Sequence, residues 1–129
     1  MMRLLLLVLG LGACTAGNPP FGSRDQAGLA RELAGRSAGQ SERCVPSTTS
    51  RSLRIVDNQT IVYRQGQTLW VNHLENECPG LRPMSTLVIE LHDSQYCRGD
   101  LFRPVDYPGS IPGARCRLGD FVPYRRPPR

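Results

Sequence analysis

Five cysteines are the residues whose type and spacing suit covalent chemistry in this chain. A thiol can be acylated, joined to a second thiol as a disulfide, bound to zinc or used as a nucleophile, and its surroundings decide which. Cys14 follows an apolar run near the start of the chain. The other four are spread through the remainder: Cys44, Cys78, Cys97 and Cys116. The two groups therefore predict different chemistry.

The start of the chain has the layout of an export signal. Residues 1–3 carry one positive charge, residues 4–11 are apolar, and two small residues precede Cys14. The tetrapeptide at 11–14, Leu-Gly-Ala-Cys, resembles the lipobox of bacterial lipoproteins. The resemblance implies a signal peptide over 1–13 and a diacylglyceryl group on the Cys14 thiol, which makes a membrane one partner of the mature protein. A buried or disulfide-bonded Cys14 is the alternative.

The residue after Cys14 bears on which membrane holds the anchor. In lipoproteins of Gram-negative bacteria, an Asp at this position commonly keeps the protein in the inner membrane. Thr15 occupies it here, which favours the outer membrane with the domain facing the periplasm.

The even number of cysteines after Cys14 predicts disulfides in a small exported domain. Zinc sites usually present cysteines in pairs about two to four residues apart, whereas these four lie nineteen or more positions apart. We therefore expect two disulfides to stabilise a domain whose hydrophobic core is small.

The chain offers little for acid–base catalysis, because it contains only two histidines, His73 and His92. His92 lies close to Ser94, but neighbours at a strand end point apart and form no triad by adjacency. His73 with Glu75 and Glu77 suits a metal, although a polar loop of this composition is typically just solvated.

Glu90 is the main carboxylate within an apolar run, and alternation places it in water, on the strand face opposite Leu87 and Ile89. No Gly-rich phosphate loop follows a strand, so nucleotide binding has no support. We therefore expect no catalytic residue, no metal and no cofactor. The leading hypothesis is a non-enzymatic binding or structural module of the cell envelope, and a small periplasmic hydrolase or other enzyme is the alternative.

All sixteen basic side chains are arginine. Guanidinium groups suit carboxylate and phosphate partners, but a bias toward GC-rich codons explains the choice better. The net charge of +5 is spread along the chain and does not indicate nucleic acid. The expected partner is an envelope protein or an anionic envelope polymer. The arginines expected to contact it are Arg54, Arg64, Arg98, Arg103, Arg125 and Arg126.

Residues 14–43 have the composition of a lipid-anchored flexible tether with one short helix. Ser23 is the predicted N-cap, with Gln26 completing a capping box, and Gly35 is expected to end the helix. The small and polar residues at 35–41 then predict a linker.

From residue 53 the pattern is typical of strands, and 44–121 is predicted to form a mainly β domain of about six short strands, a meander or barrel-like sheet. Two β-rich runs around an Asp-Asn turn predict a hairpin. The predicted strands are 53–57, 60–64, 68–72 and 86–91, with weaker candidates at 101–105 and 114–118. The expected core is Leu53, Ile55, Ile61, Leu69, Val71, Leu87, Ile89 and Phe121.

Two further features have open interpretations. Tyr63 and Trp70, on neighbouring strands, predict either a core pair or a ligand-facing aromatic patch. The basic, proline-rich tail at 122–129 is expected to be extended and unpaired. It is either a simple disordered end or a contact for anionic polymers or lipid headgroups.

The meander also predicts which cysteines meet, because successive strands alternate in direction. Cys44 before the first strand and Cys97 after the fourth fall at the same end, and Cys78 after the third strand falls at the other. This favours Cys44–Cys97 with Cys78–Cys116. Sequential pairing, Cys44–Cys78 with Cys97–Cys116, is the alternative.

The cysteines carry a family resemblance as well. The relevant runs are Val-Asp-Asn-Gln-Thr-Ile at 56–61, Cys-Pro-Gly-Leu at 78–81 and Cys-Arg-Leu-Gly-Asp-Phe at 116–121. Together with Cys44 and Cys97 they resemble a family of small exported proteobacterial proteins described only as a domain of unknown function. The resemblance covers roughly residues 44–123 and implies a periplasmic β-rich domain, with no catalytic residues assigned.

Overall fold

The computed structural model describes residues 22–48, 53–106 and 111–129. The predicted signal peptide, the predicted lipid attachment at Cys14 and the first part of the predicted tether lie outside the described residues. Within the described part, no helix has the length and apolarity needed to cross a bilayer.

The described residues form one helix and ten short strands, so the protein is mainly β, as predicted. All strand pairs are antiparallel, and they divide among three sheets rather than one meander. The sheet orders are β1-β10-β5-β4-β3, β2-β7 and β6-β8-β9. The elements are α1 Ser23–Leu33, β1 Ser37–Ala38, β2 Cys44–Pro46, β3 Arg54–Ile55, β4 Thr60–Gln65, β5 Thr68–His73, β6 Thr86–Ile89, β7 Gln95–Cys97, β8 Leu101–Val105, β9 Cys116–Arg117 and β10 Phe121–Arg125.

The strands β3, β4 and β5 confirm the predicted hairpin and the strand after it. Ile55 lies opposite Ile61, and the Val56 N–H donates to the Thr60 carbonyl at 2.9 Å across the turn. Gly66 has a φ of +56° in the turn between β4 and β5, a conformation that glycine adopts without steric cost.

Both faces of the five-stranded sheet are buried, and alternation along β4 sends neighbouring side chains to different clusters. Ile61 packs in the cluster shared with the two smaller sheets, whereas Val62 packs in the cluster beneath α1. The second cluster exists because the helix covers the other face of the sheet. Of the predicted core, Leu53, Leu87 and Ile89 are only partly buried, and the fully buried members are Ile55, Ile61, Leu69, Val71 and Phe121.

Tyr63 and Trp70 belong to the core rather than to a ligand-facing patch. They lie directly opposite each other on β4 and β5, and both are buried. The Tyr63 hydroxyl donates to the Pro46 carbonyl at 3.1 Å, and its ring meets Tyr96 edge-on with centroids 5.5 Å apart. Burial, and secondarily Tyr63, raises the pKa of Tyr96. Tyr63 therefore links the small β2–β7 sheet to the main sheet.

The helix α1 packs on the main sheet, which corrects the described part, 22–43, of the tether predicted over 14–43. Leu29 is buried in the cluster that covers this face. The Glu32 carboxylate binds the guanidinium groups of Arg54 at 2.5 Å and Arg64 at 3.0 Å. From Ser23 onward the chain is thus part of the folded domain.

The predicted capping box is wrong. Gly22, with a φ of +84°, is the N-cap residue, and no side chain caps the helix. Gln26 instead donates from its amide to the Asp57 carboxylate at 2.9 Å, which docks the helix start on the β3–β4 turn. Burial raises the pKa of Asp57, but hydrogen bonds from Gln26 and from the turn outweigh burial and hold it below its usual value.

The first four residues of the predicted unpaired tail, 122–125, are paired in the sheet. They belong to β10, which lies between β5 and β1, and β1 itself falls within the predicted linker 35–41. The nitrogen and the carbonyl of Pro123 both face β1 rather than β5, and the carbonyl accepts the Gly39 N–H at 2.8 Å. Pro123 has no N–H to donate, but its nitrogen lies past the end of β1. The hydrogen bonds between β10 and β5 are therefore intact.

The disulfides are Cys44–Cys97 and Cys78–Cys116, which confirms the favoured pairing over the sequential one. Cys44 and Cys97 lie directly opposite each other on β2 and β7. The first bond thus joins two strands that were not predicted. The second joins the loop after β5 to β9.

Candidate functional site

A cleft of about 730 Å³ lies between the loop after β5, the turn before β8 and the strand β9. Its lining mixes opposite charges with an apolar floor, which suits a ligand that carries both. The charged members are Glu75, Glu77, Arg98, Arg115 and Arg117, and the apolar members include Pro79, Leu101 and Leu118.

The Cys78–Cys116 disulfide fixes the two walls of the cleft relative to each other, with its Cα atoms 5.8 Å apart. The Cys78 side chain is fully buried, and its N–H donates to the Asn58 carbonyl at 2.8 Å. Gly80, with a φ of +80°, turns the chain immediately after this anchor. The Cys-Pro-Gly element therefore builds one wall of the cleft.

Arg98 is neutralised within the cleft. Its guanidinium group forms ion pairs with Glu75 and with Asp120, the latter at 3.0 Å. The turn that carries it is fixed by the Asp100 carboxylate, which accepts the Cys97 N–H at 2.8 Å. Arg98 thus joins three segments and has little charge left for an external anion.

The two arginines that flank Cys116 behave differently. Arg115 pairs with Glu90 at 3.4 Å. Arg117 donates to the Gly99 carbonyl at 2.9 Å. Among the described residues, neither Arg117 nor Glu77 forms an ion pair. These two opposite charges line one cleft without meeting each other.

A second surface lies where the helix ends beside the β4–β5 turn and the end of β10. Arg36 donates to the carbonyls of Gln67 at 2.6 Å and Tyr124 at 3.3 Å. Arg125 donates to the Thr68 hydroxyl at 3.3 Å and stacks over the Trp70 ring at 5.6 Å. We call Arg36, Arg125 and Arg126 the basic rim. In the described part of the chain no carboxylate pairs with any of the three.

The six arginines predicted to contact an anionic partner do not form one surface. Arg54 and Arg64 hold the helix through Glu32, and Arg98 lies in the cleft. Arg103 is half-buried on β8 opposite Val88. Of the six, only Arg125 and its neighbour in the chain, the exposed Arg126, belong to the basic rim.

Three arginines of these surfaces were missed by the sequence analysis. Arg115 and Arg117 flank Cys116, and alternation along that predicted strand was a usable signal for their shared face. No local pattern indicated Arg36, because it meets Gln67 and Tyr124 only through the tertiary fold.

The histidines lie outside the cleft. His73 and His92 are exposed, and the His73 Nδ1 is 3.5 Å from the Thr60 hydroxyl. The suggested metal group of His73, Glu75 and Glu77 does not assemble, and the described residues contain no other cluster of metal-binding side chains. Glu90 is exposed, as expected from its position on the strand.

No known protein family, curated protein or solved structure matches the chain. The family resemblance of residues 44–123 therefore stays a prediction, and function has to be argued from these two surfaces.

Proposed function

We propose that the chain is a lipoprotein of the bacterial cell envelope, anchored to the outer membrane through Cys14, whose periplasmic domain is a non-enzymatic module that binds an anionic envelope polymer. The observation that carries the proposal is the basic rim. Its three guanidinium groups have no carboxylate partner in the described residues, and arginine matches carboxylate and phosphate oxygens in geometry and charge.

The position of the rim supports a partner away from the anchoring membrane. The chain enters the domain at Gly22, which packs closely against the β3–β4 turn. A Cβ atom added at Gly22 would lie only 3.1 Å from the Asp57 Cβ. The rim surrounds the β4–β5 turn, at the opposite end of β4. The proposed anchor at Cys14 lies on the side of Gly22 in the chain, so the rim is at the end of the domain farther along β4 from the attachment point.

The lining of the cleft supports a binding role over the alternative of a small hydrolase. General acid–base catalysis needs a group that titrates near the working pH within reach of substrate. The cleft contains neither His73 nor His92, and its carboxylates and guanidinium groups are exposed to water.

Replacing Cys14 with serine tests the anchor. Because the diacylglyceryl group is attached to the thiol, the C14S chain should lose all lipid labelling and accumulate as unprocessed precursor in cells. Metabolic labelling with a fatty acid and mass spectrometry of the N-terminal peptide measure both effects. A mature wild-type protein that begins elsewhere, or that carries an unmodified Cys14, contradicts the anchor.

The variant R125Q/R126Q tests the basic rim by co-sedimentation of the full chain with purified peptidoglycan sacculi, whose stem peptides carry carboxylates. Two exposed ion pairs at about 0.5–1 kcal/mol each predict binding weaker by about fivefold or more. Binding of the wild type should also weaken as salt increases. Arg36 is left in place because its carbonyl contacts hold the helix end.

The matched control is R24Q/R43Q, which removes the same charge from two exposed arginines outside the rim. It should bind sacculi as the wild type does. An equal loss in both double variants means that net charge, not the rim, is responsible. Failure of the wild type to sediment with sacculi at low salt contradicts the proposed partner.

A further inference from the structure

We infer that the cleft is a separate binding site for a small zwitterion: an amino acid or a short peptide with a free amine and a free carboxylate. The inference goes beyond the basic rim, since the two surfaces share no residue. It starts from Glu77 and Arg117, the two lining residues of opposite charge that form no ion pair among the described residues.

The remaining charges of the cleft are already balanced. Arg98 is held between Glu75 and Asp120, and Arg115 pairs with Glu90. These pairs frame the site and leave one carboxylate and one guanidinium group available. A ligand with an ammonium group at Glu77 and a carboxylate at Arg117 would give both residues an ion-pair partner.

The covalent structure keeps these two charges apart. Glu77 directly precedes Cys78 and Arg117 directly follows Cys116, so the disulfide holds them on the two walls. The Arg117 guanidinium also donates to the Gly99 carbonyl at 2.9 Å, which orients it and leaves other N–H groups free. A pair held apart in this way is organised before the ligand arrives, which lowers the ordering cost of binding.

The dimensions and floor of the cleft favour a peptide over a simple ion. A volume of about 730 Å³ is in the range of sites that enclose small organic ligands. Pro79 and Leu101 supply apolar surface to the lining. The carboxylates of Glu75 and Glu77 disfavour a ligand that carries only negative charge. The ligand chemistry that fits is therefore two opposite terminal charges joined by a short, partly apolar body.

Titration calorimetry on the full chain purified in detergent tests the site with three related probes. These are Ala-Ala, N-acetyl-Ala-Ala, which lacks the amine charge, and Ala-Ala-amide, which lacks the carboxylate. Ala-Ala should bind, and capping either end should weaken binding by about fivefold or more, since each cap removes a charge-assisted contact.

Two conservative variants assign each end of the ligand. In E77Q the acetylated and free peptides should bind equally, because the partner of the amine is lost. In R117Q the amide and free peptides should bind equally for the same reason at the carboxylate. Both residues are exposed, so circular dichroism should match the wild type, and R82Q should bind all three probes as the wild type does.

Several results would overturn this assignment. Absence of Ala-Ala binding at millimolar concentration would do so, as would equal binding of Ala-Ala and its acetylated form, which marks a site for simple anions. Variants that weaken all three probes alike would also exclude the proposed contacts. The R125Q/R126Q chain should bind Ala-Ala as the wild type does. Failure of polymer binding at the rim can therefore be distinguished from failure of ligand binding in the cleft.

Discussion

Replacing Gly119 with alanine should unfold the domain or remove about 4 kcal/mol of its stability. A Cβ atom at this position would lie 2.0 Å from the backbone carbonyl oxygen of His73. Gly119 cannot move aside easily, because the buried Asn72 side chain donates to its carbonyl at 2.7 Å and accepts its N–H at 2.8 Å. The substitution therefore forces β5 and the loop before β10 apart and breaks two buried hydrogen bonds.

The same substitution at Gly28 is the control, and it should have the opposite sign. Gly28 lies in α1, and a Cβ there meets no atom within 4 Å. Alanine should stabilise the helix by about 0.5–1 kcal/mol. Urea unfolding followed by circular dichroism measures both changes. A G119A chain with the wild-type midpoint would mean that Gly119 does not pack against His73.

Removing either disulfide should destabilise the oxidised protein by about 4 kcal/mol. The bonds close segments with sequence separations of 53 and 38 residues, and chain entropy assigns similar values to loops of these lengths. That loss is a large share of the 5–15 kcal/mol typical of a folded domain. In urea, the midpoints of C44A/C97A and C78A/C116A should each decrease by about 2 M or more.

The two disulfide variants should differ in the cleft. C78A/C116A removes the bond that joins the cleft walls and should weaken Ala-Ala binding, whereas C44A/C97A acts on β2 and β7 and should leave it unchanged at low urea. A wild-type midpoint that does not decrease after reduction of both disulfides would contradict the predicted stabilisation. Equal loss of Ala-Ala binding in both variants would mean that the effect comes from global stability.

Strands that lie in longer β-rich runs could be predicted from the sequence, and isolated short strands could not. The runs at 60–64 and 68–72 became β4 and β5, and the two-residue β3 was found because it lies within the β-rich run before the turn. In contrast, β1 has two residues and β2 and β7 have three each, which is too few for any period. Their positions depend on partners far along the chain, as Ser37 opposite Arg125 illustrates.

The pairing of the tail and the division of the core into two clusters were not predicted. Proline and arginine at 122–129 are typical of an unpaired end, but Pro123 lies where its missing N–H needs no strand partner. The sequence of β4 shows no alternation of apolar and polar residues, since Ile61 and Val62 are both apolar and both faces of the sheet are covered. Such a two-sided sheet has no polar face from which its orientation can be assigned.

The two surfaces were only partly accessible from sequence. The cysteine count predicted two disulfides, and the favoured pairing is the one observed, although the single meander from which it was argued is divided among three sheets. The free charges of the cleft were not predicted, because Glu77 and Arg117 come to line the same cleft only through Cys78–Cys116. Likewise, the sequence did not show that Glu32 binds Arg54 and Arg64. These ion pairs remove both arginines from the set predicted to contact an anionic partner.

The order of the cysteines also affects how an exported chain is oxidised. Cys78 lies inside the segment closed by Cys44–Cys97, and its partner Cys116 lies outside that segment. A chain that crosses a membrane from its N-terminus presents Cys44 and Cys78 to the oxidant first, before either native partner has emerged. If the chain is exported as proposed, a non-native Cys44–Cys78 bond would form first and thiol–disulfide exchange would have to replace it. Maturation would then depend on a disulfide isomerase as well as on an oxidase.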